Sequence, residues 1–296
     1  MTIDAAPPST ATFRDYVELT KPRLSLLSVL TALVGYLAAR PPANPSKLAF
    51  VLLGTSLAAG GVAVLNQWME SDTDAQMKRT GDRPIPTGKV ASGSAFVLGA
   101  LMCIASLFLL FAKVNLPSSL FTLLTIFAYL GWYTPAKRWS IWSTEIGAVA
   151  GAFPPLIGWA AAEGTISTLG WVLFAVLYFW QIPHFMSIAW TYRQDYSAVH
   201  FPMLPVRDEA GGKVAAWSFV NTLALVAVSL LPVYLGFATK AYGLAALAGG
   251  AWFLWSAASF LRPVGRDVTA RKLFYCSIAY LPLVLGALVA DRMINF

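Results

Sequence analysis

Nine apolar runs constrain this chain more than any other feature of its sequence. They lie at about 24–39, 48–69, 95–112, 116–133, 146–162, 169–192, 214–238, 241–261 and 273–290. Most are close to the ~20 residues that a helix needs to cross a hydrocarbon core about 30 Å thick. Only 12% of the 296 residues are charged, about half the share usual in soluble domains, and 57% are hydrophobic. The expected architecture is an all-α, polytopic membrane protein with nine transmembrane helices in a single bundle. Residues 1–20 are expected to be a cytoplasmic tail, the first part of it disordered, and residues 21–296 one intramembrane domain. The opening MTIDAAPPSTATF has no basic start followed by an apolar core, so it does not read as a cleaved leader.

Nine spans also sort the basic residues. Of the 21 Lys and Arg, sixteen fall before the first span or after the second, fourth, sixth and eighth, and only Arg40, Lys47, Lys113, Lys240 and Arg292 fall on the other side. The positive-inside rule then predicts a cytoplasmic N-terminus and a periplasmic C-terminus. The net charge of +7 is accounted for by these short clusters, which argues against nucleic acid as a partner and for the lipid bilayer. Cys103 and Cys276 stand far apart within apolar runs and form neither a metal motif nor a disulfide framework. The fifth run, IGAVAGAFPPLIGWAAA, is rich in small residues, which suits close helix contacts.

Polar chemistry collects where the second run ends, in NQWMESDTDAQMKRTGDRP. Asn66, Glu70 and Asp74 recur every fourth residue, so a continuing helix stacks them on one face. Like charges at that spacing repel, so the pattern implies something to hold. Asp72 points elsewhere on a continuous helix, but a break near the interface brings it in as a further metal ligand. Such carboxylates suit Mg2+, which takes a few protein oxygens and completes its shell with water and phosphate. Lys78, Arg79 and Arg83 follow directly, while Lys137 and Arg138 lie after the fourth run and Arg193 after the sixth. Together they are suited to bind an anion such as a diphosphate bridged by metal ions. Asp195, after the sixth run, echoes Asp74 after the second and hints at an internal pseudo-repeat with a site between the halves. An ordinary acidic, solvated helix end is the alternative for the first cluster. His184 lies within the sixth run, where an ionisable side chain needs a partner or a polar cavity. Trp68, Tyr133, Tyr178 and Trp180 are candidates to face a developing carbocation, although membrane proteins also use aromatic residues as interfacial belts.

These stretches resemble the UbiA-type intramembrane prenyltransferases. The resemblance is carried by LTKPRLSLL at 19–27, NQWMESDTDAQMKRTGDRPIPTG at 66–88, YTPAKRWS at 133–140, and WQIPHF with DYSAVHFPMLPV near 180–206. It is strongest to the branch that farnesylates protohaem IX. It implies a helical bundle with a central cavity and Mg2+-dependent use of farnesyl diphosphate. It further implies transfer of the farnesyl group to a vinyl group of haem B, with addition of water, giving haem O and diphosphate. Carried over by position, Asn66, Glu70 and Asp74 match the first metal and diphosphate motif, and Asp195 the last acid of the second. His184 becomes a haem-binding candidate. The resemblance also places the enzyme in a bacterial inner membrane, upstream of haem A synthesis or terminal-oxidase assembly. Three positions depart from the broader pattern. Thr191 stands where the second motif usually begins with an acid, and Glu70 replaces the commoner Asp. His200 stands where Gly is expected, so a positive φ is not assumed there. Two rivals remain at this stage: a related prenyltransferase acting on an aromatic or quinone precursor, and a transporter, whose broken helices and internal repeats look similar.

Overall fold

The computed structural model describes residues 11–296, and the first part of the expected tail lies outside that range. Among the described residues, nine helices are long and apolar enough to cross a membrane. They run Pro22–Ala39, Pro45–Met69, Ser92–Lys113, Leu116–Ala136, Ser143–Glu163, Thr168–Thr191, Gly212–Tyr234, Lys240–Phe260 and Arg266–Asn295. The expected spans are all present. The ninth is longer than its apolar run because a helix continues wherever its backbone bonds do, whereas the run marks only the stretch suited to hydrocarbon.

Local chemistry sets the ends. Asn44 and Asn115 accept the amides of Lys47 and Ser118, both at 2.9 Å, and a proline stands in the first turn of each helix. Gly164 closes the fifth span in the left-handed region, with φ 78°. Within the expected N-terminal tail, Phe13–Leu19 is a helix closed by a Thr12–Asp15 capping box. Leu19 is buried against Val64, Ile85 and Val90, and Gln67 donates to its carbonyl at 2.7 Å. Burying that leucine offsets the entropy of ordering a short segment.

Small residues determine how the spans approach one another, since lipid supplies little hydrophobic force between helices. The first and fifth spans meet so closely that a Cβ at Gly35 would overlap the Pro155 carbonyl, and one at Gly158 would overlap the Ala32 carbonyl. The second and third spans meet at Gly54, whose carbonyl accepts the Ser106 hydroxyl at 2.6 Å. The sixth to ninth spans share a continuous core that includes Leu173, Trp180, Phe253, Phe260 and Tyr280. Large apolar side chains such as Phe108, Phe127, Leu244 and Trp255 remain exposed on the outside, as a lipid-facing surface requires. Cys103 and Cys276 are buried free thiols.

Candidate functional site

The second span ends at Met69 with Glu70 as its cap, and Ser71–Asp74 follows as a single further helical turn. The helical register survives this break. The Glu70 amide donates to the Asn66 carbonyl at 3.0 Å and the Asp74 amide to the Glu70 carbonyl at 2.7 Å. Asn66, Glu70 and Asp74 therefore remain one turn apart, and all three are buried.

Each carboxylate has a cation. Arg83 meets Asp74 at 2.5 Å and Lys137 meets Glu70 at 2.6 Å. Burial works against the Lys137 charge, but Glu70, with help from Tyr129 and Tyr196, more than offsets it and holds the ammonium above the ordinary lysine pKa. The Lys137 ammonium also lies 4.7 Å from the centre of the Tyr133 ring.

Lys137 is delivered by an irregular stretch of the fourth span. Residues Ala128–Tyr133 form a π-helical turn, in which the Thr134 amide donates to the Tyr129 carbonyl, a distortion often found at functional sites. The Thr134 hydroxyl donates to the same carbonyl at 2.9 Å and accepts the Asn66 amide NH2 at 3.1 Å. That fixes the Asn66 side chain, leaving its oxygen to accept Lys21 Nζ at 3.4 Å.

Lys21 is the residue that the sequence reading missed. It begins the first span in the left-handed region, with φ 46°. Lys21 is half-buried, with its ammonium turned toward the ionic cluster through Asn66. Burial first, and then the Arg83 and Lys137 charges, push its pKa down to about 7. The signal available in sequence was its place in LTKPRLSLL. The enclosed group thus contains Lys21, Arg83 and Lys137 against Glu70 and Asp74, an excess of positive sites. A site of this kind is completed by an anion.

Other predicted residues are placed differently. Asp72 is two residues from Glu70 and therefore points the opposite way. It forms a two-pronged pair with Arg138 at 2.7 and 2.9 Å, with side chains 58% and 44% exposed. That pair holds the Asp72 pKa below the usual carboxylate range. Asp72, expected as a metal ligand, and Arg138, expected as an anion ligand, are therefore paired with each other outside the enclosed group. Arg193 is also diverted, pairing with Asp267 at 3.2 Å and lying 4.1 Å from the Trp190 ring centre. Lys78 is exposed. Arg79 lies over the rings of Tyr192 and Tyr196, at 5.4 and 6.0 Å. This contact joins the loop after the second span to the loop after the sixth, as does Met77, which packs with Val199, Phe201 and Met203.

Asp195 is half-buried in the first turn of the short helix Arg193–Ala198, while the Thr191 hydroxyl is spent on the Ser187 carbonyl at 2.9 Å. No three His, Cys, Asp or Glu side chains among the described residues form a ready-made metal cage. His200 does adopt a positive φ, 57°, against the expectation for a non-glycine residue. Its amide donates to Ser197 and the next amide to Tyr196, and the burial of Val199, Phe201 and Met203 on either side offsets the strain.

His184 lies apart from the ionic cluster, at the packing of the sixth span on the ninth. Its ring stacks on Trp180 and Phe274, with centroids 4.7 and 5.2 Å away, and its Nδ1 is 2.7 Å from the Ser277 hydroxyl. Of the four aromatic candidates, Tyr133 touches the ionic group. Trp68 packs on Phe96 and Tyr178 on Phe179, while the Trp180 indole donates to the Ser277 carbonyl.

An all-helical membrane bundle with its buried ionic groups gathered at the ends of the second and fourth spans is the class that this geometry defines. Its overall shape is shared with a solved structure described as digeranylgeranylglyceryl phosphate synthase, at a TM-score of 0.80 and 17% identity, covering 95% of this chain and 98% of that one. It is shared also with a UbiA homologue from Archaeoglobus fulgidus bound to DMAPP and Mg2+, at a TM-score of 0.69 and 16% identity, covering 95% and 99%. The model of the UbiA prenyltransferase family matches residues 28–278, and the chain belongs to that family. It is 71% identical over 291 residues to a protein of Opitutus terrae named protoheme IX farnesyltransferase, covering 98% of this chain and 99% of that one. The chain is a prenyltransferase enzyme.

Proposed function

We propose that the protein transfers the farnesyl group of farnesyl diphosphate to a vinyl group of haem B, with addition of water, giving haem O and diphosphate. The observation that carries the diphosphate half is the enclosed cluster, in which Lys21, Arg83 and Lys137 outnumber Glu70 and Asp74. The haem half is supported by the Opitutus terrae relative, whose name specifies protoheme IX and which matches along almost the whole chain.

The donor set fits a hard cation. Glu70, Asp74 and Asn66 present oxygen donors one helical turn apart, and Asp195 lies on the loop that packs against the same segment. Glu70, Asp74 and Asp195 are the proposed Mg2+ ligands, too few to form a cage alone and well suited to an ion that keeps waters and substrate phosphate in its shell. The Archaeoglobus fulgidus structure, with Mg2+ and DMAPP bound, supports the same pairing. Bound there, Mg2+ would neutralise charge on the departing diphosphate.

The chain's own cations complete that task. Lys137 and Arg83 hold the carboxylates in the ligand-free protein and can turn to phosphate oxygens when metal takes those carboxylates; Lys21 has no carboxylate to leave. As the allylic C–O bond breaks, its electron pair stays with diphosphate, and positive charge develops on the farnesyl carbon. Tyr133, and Tyr129 beside it with ring centroids 5.1 Å apart, offer that carbon an electron-rich wall. The vinyl electrons then form the new C–C bond, and water captures the resulting cation and releases a proton. The excess of basic residues on this end of the bundle supports a cytoplasmic site in a bacterial inner membrane, and the product suits haem A synthesis or oxidase assembly.

The test is Asp74→Ala, purified in detergent and supplied with Mg2+, farnesyl diphosphate and haem B. Wild type should form haem O, resolved by chromatography, and the variant should be slower by about a hundredfold or more, the scale of a lost transition-state charge contact. Turnover near wild type in the variant, or no haem O from wild type, refutes the proposal.

A further inference from the structure

We infer that Ser277 is a positioning residue that fixes the tautomer of His184 and leaves Nε2 as a lone-pair donor for the iron of the haem substrate. This rests on the proposed haem reaction. The Ser277 hydroxyl has a single proton, and it lies 2.6 Å from the Phe274 carbonyl, which can only accept. A hydroxyl whose proton is committed can meet His184 Nδ1, at 2.7 Å, only as an acceptor. Nδ1 therefore carries the imidazole proton, and Nε2 carries the lone pair. Nε2 has no hydrogen-bond partner among the described residues and is not sealed within the protein.

The surroundings hold this arrangement in place. Ser277 is completely buried, and its main-chain carbonyl accepts the Trp180 indole N–H at 2.8 Å. One residue of the ninth span therefore anchors both rings of a stack on the sixth. The His184 ring lies within about 20° of parallel to Trp180 and 30° to Phe274, which leaves it little freedom to flip and exchange its nitrogens. A ligating histidine usually donates its other ring N–H to an oxygen that fixes its direction. Ser277 Oγ is that oxygen here. The flat aromatic flank is also chemically compatible with a porphyrin face.

The tautomer is measurable without haem. Histidine-selective 15N labelling of wild type, with His200→Gln removing the second histidine, should give one protonated nitrogen, assigned to Nδ1, and one unprotonated nitrogen, Nε2. Ser277→Ala should lose that single tautomer, and Ser277→Thr, which restores a hydroxyl, should recover it. A protonated Nε2 in wild type, or a Ser277→Ala spectrum identical to wild type, overturns the inference.

Haem titration supplies the second readout. Ferric haem added to wild type should shift its absorption spectrum, and His184→Ala should abolish that shift. Ser277→Ala should weaken haem binding by ten- to a hundredfold, the range for loss of such a supporting partner, while Ser277→Thr recovers most of it. If His184→Ala keeps the wild-type spectrum, iron ligation by His184 fails even with the tautomer as stated, and the inference is overturned with it. If His184→Ala loses the shift while Ser277→Ala binds like wild type, iron ligation stands and the role of Ser277 is refuted.

Discussion

Replacing Lys21 tests how much of the ionic site was built for an anion. The residue is half-buried, and its ammonium is 3.4 Å from a neutral amide oxygen and has no carboxylate of its own. A unit charge about 5 Å from a phosphate oxygen is worth about 3 kcal/mol at an effective dielectric constant of 20. That is about a hundredfold in Kd, so Lys21→Met should weaken binding of a farnesyl diphosphate analogue by ten- to a hundredfold. The pH dependence sharpens the test. With a pKa of about 7 in the ligand-free protein, Lys21 is mostly neutral well above that pH, while phosphate is already fully ionised. Binding must then take up a proton, and Kd should rise about tenfold per pH unit. Lys21→Arg stays charged throughout this range and should show no slope. The stability sign is opposite. An unfolded lysine titrates near 10.4, so between about pH 7 and 10 the unfolded state holds more protons, and the ligand-free protein gains stability as pH rises. Calorimetric titration from pH 7 to 9 measures Kd. Refutation would be a Lys21→Met affinity within twofold of wild type, or equal slopes for wild type and Lys21→Arg.

Two further substitutions probe the frame. Gly158→Ala pushes a Cβ into the Ala32 carbonyl and should cost about 1–3 kcal/mol, the usual penalty of overpacking. Gly286→Ala, on the ninth span, meets nothing within 4 Å and should be neutral or stabilising by up to about 1 kcal/mol; equal melting temperatures in detergent would refute the close approach of the first and fifth spans. His200→Gly should stabilise the loop by about 1 kcal/mol, because the left-handed conformation at φ 57° is costly for a residue with a Cβ. A lower melting temperature for that variant would show that the His200 side chain contributes more than its backbone costs.

The sequence by itself determined the nine spans, because each needs about twenty apolar residues whatever its neighbours are. It determined the stacking of Asn66, Glu70 and Asp74 too, since helical register is a local property, kept here through the break at Glu70. Asp72 facing away follows from the same periodicity. Tertiary structure alone decided which cation met which carboxylate. Glu70 is paired across 67 positions with Lys137, which is set by a π-turn that no apolar pattern announces. Arg193, expected among the anion ligands, was captured 74 positions away by Asp267. Lys21 reached Asn66 across 45 positions, on the helix next to the site. Charge and spacing nominated Glu70, Lys137 and Arg193 but not Lys21 or Asp267, and the partners of all five depend on how the spans cross and rotate, which close contacts such as Gly35 on Pro155 and Gly158 on Ala32 help to fix.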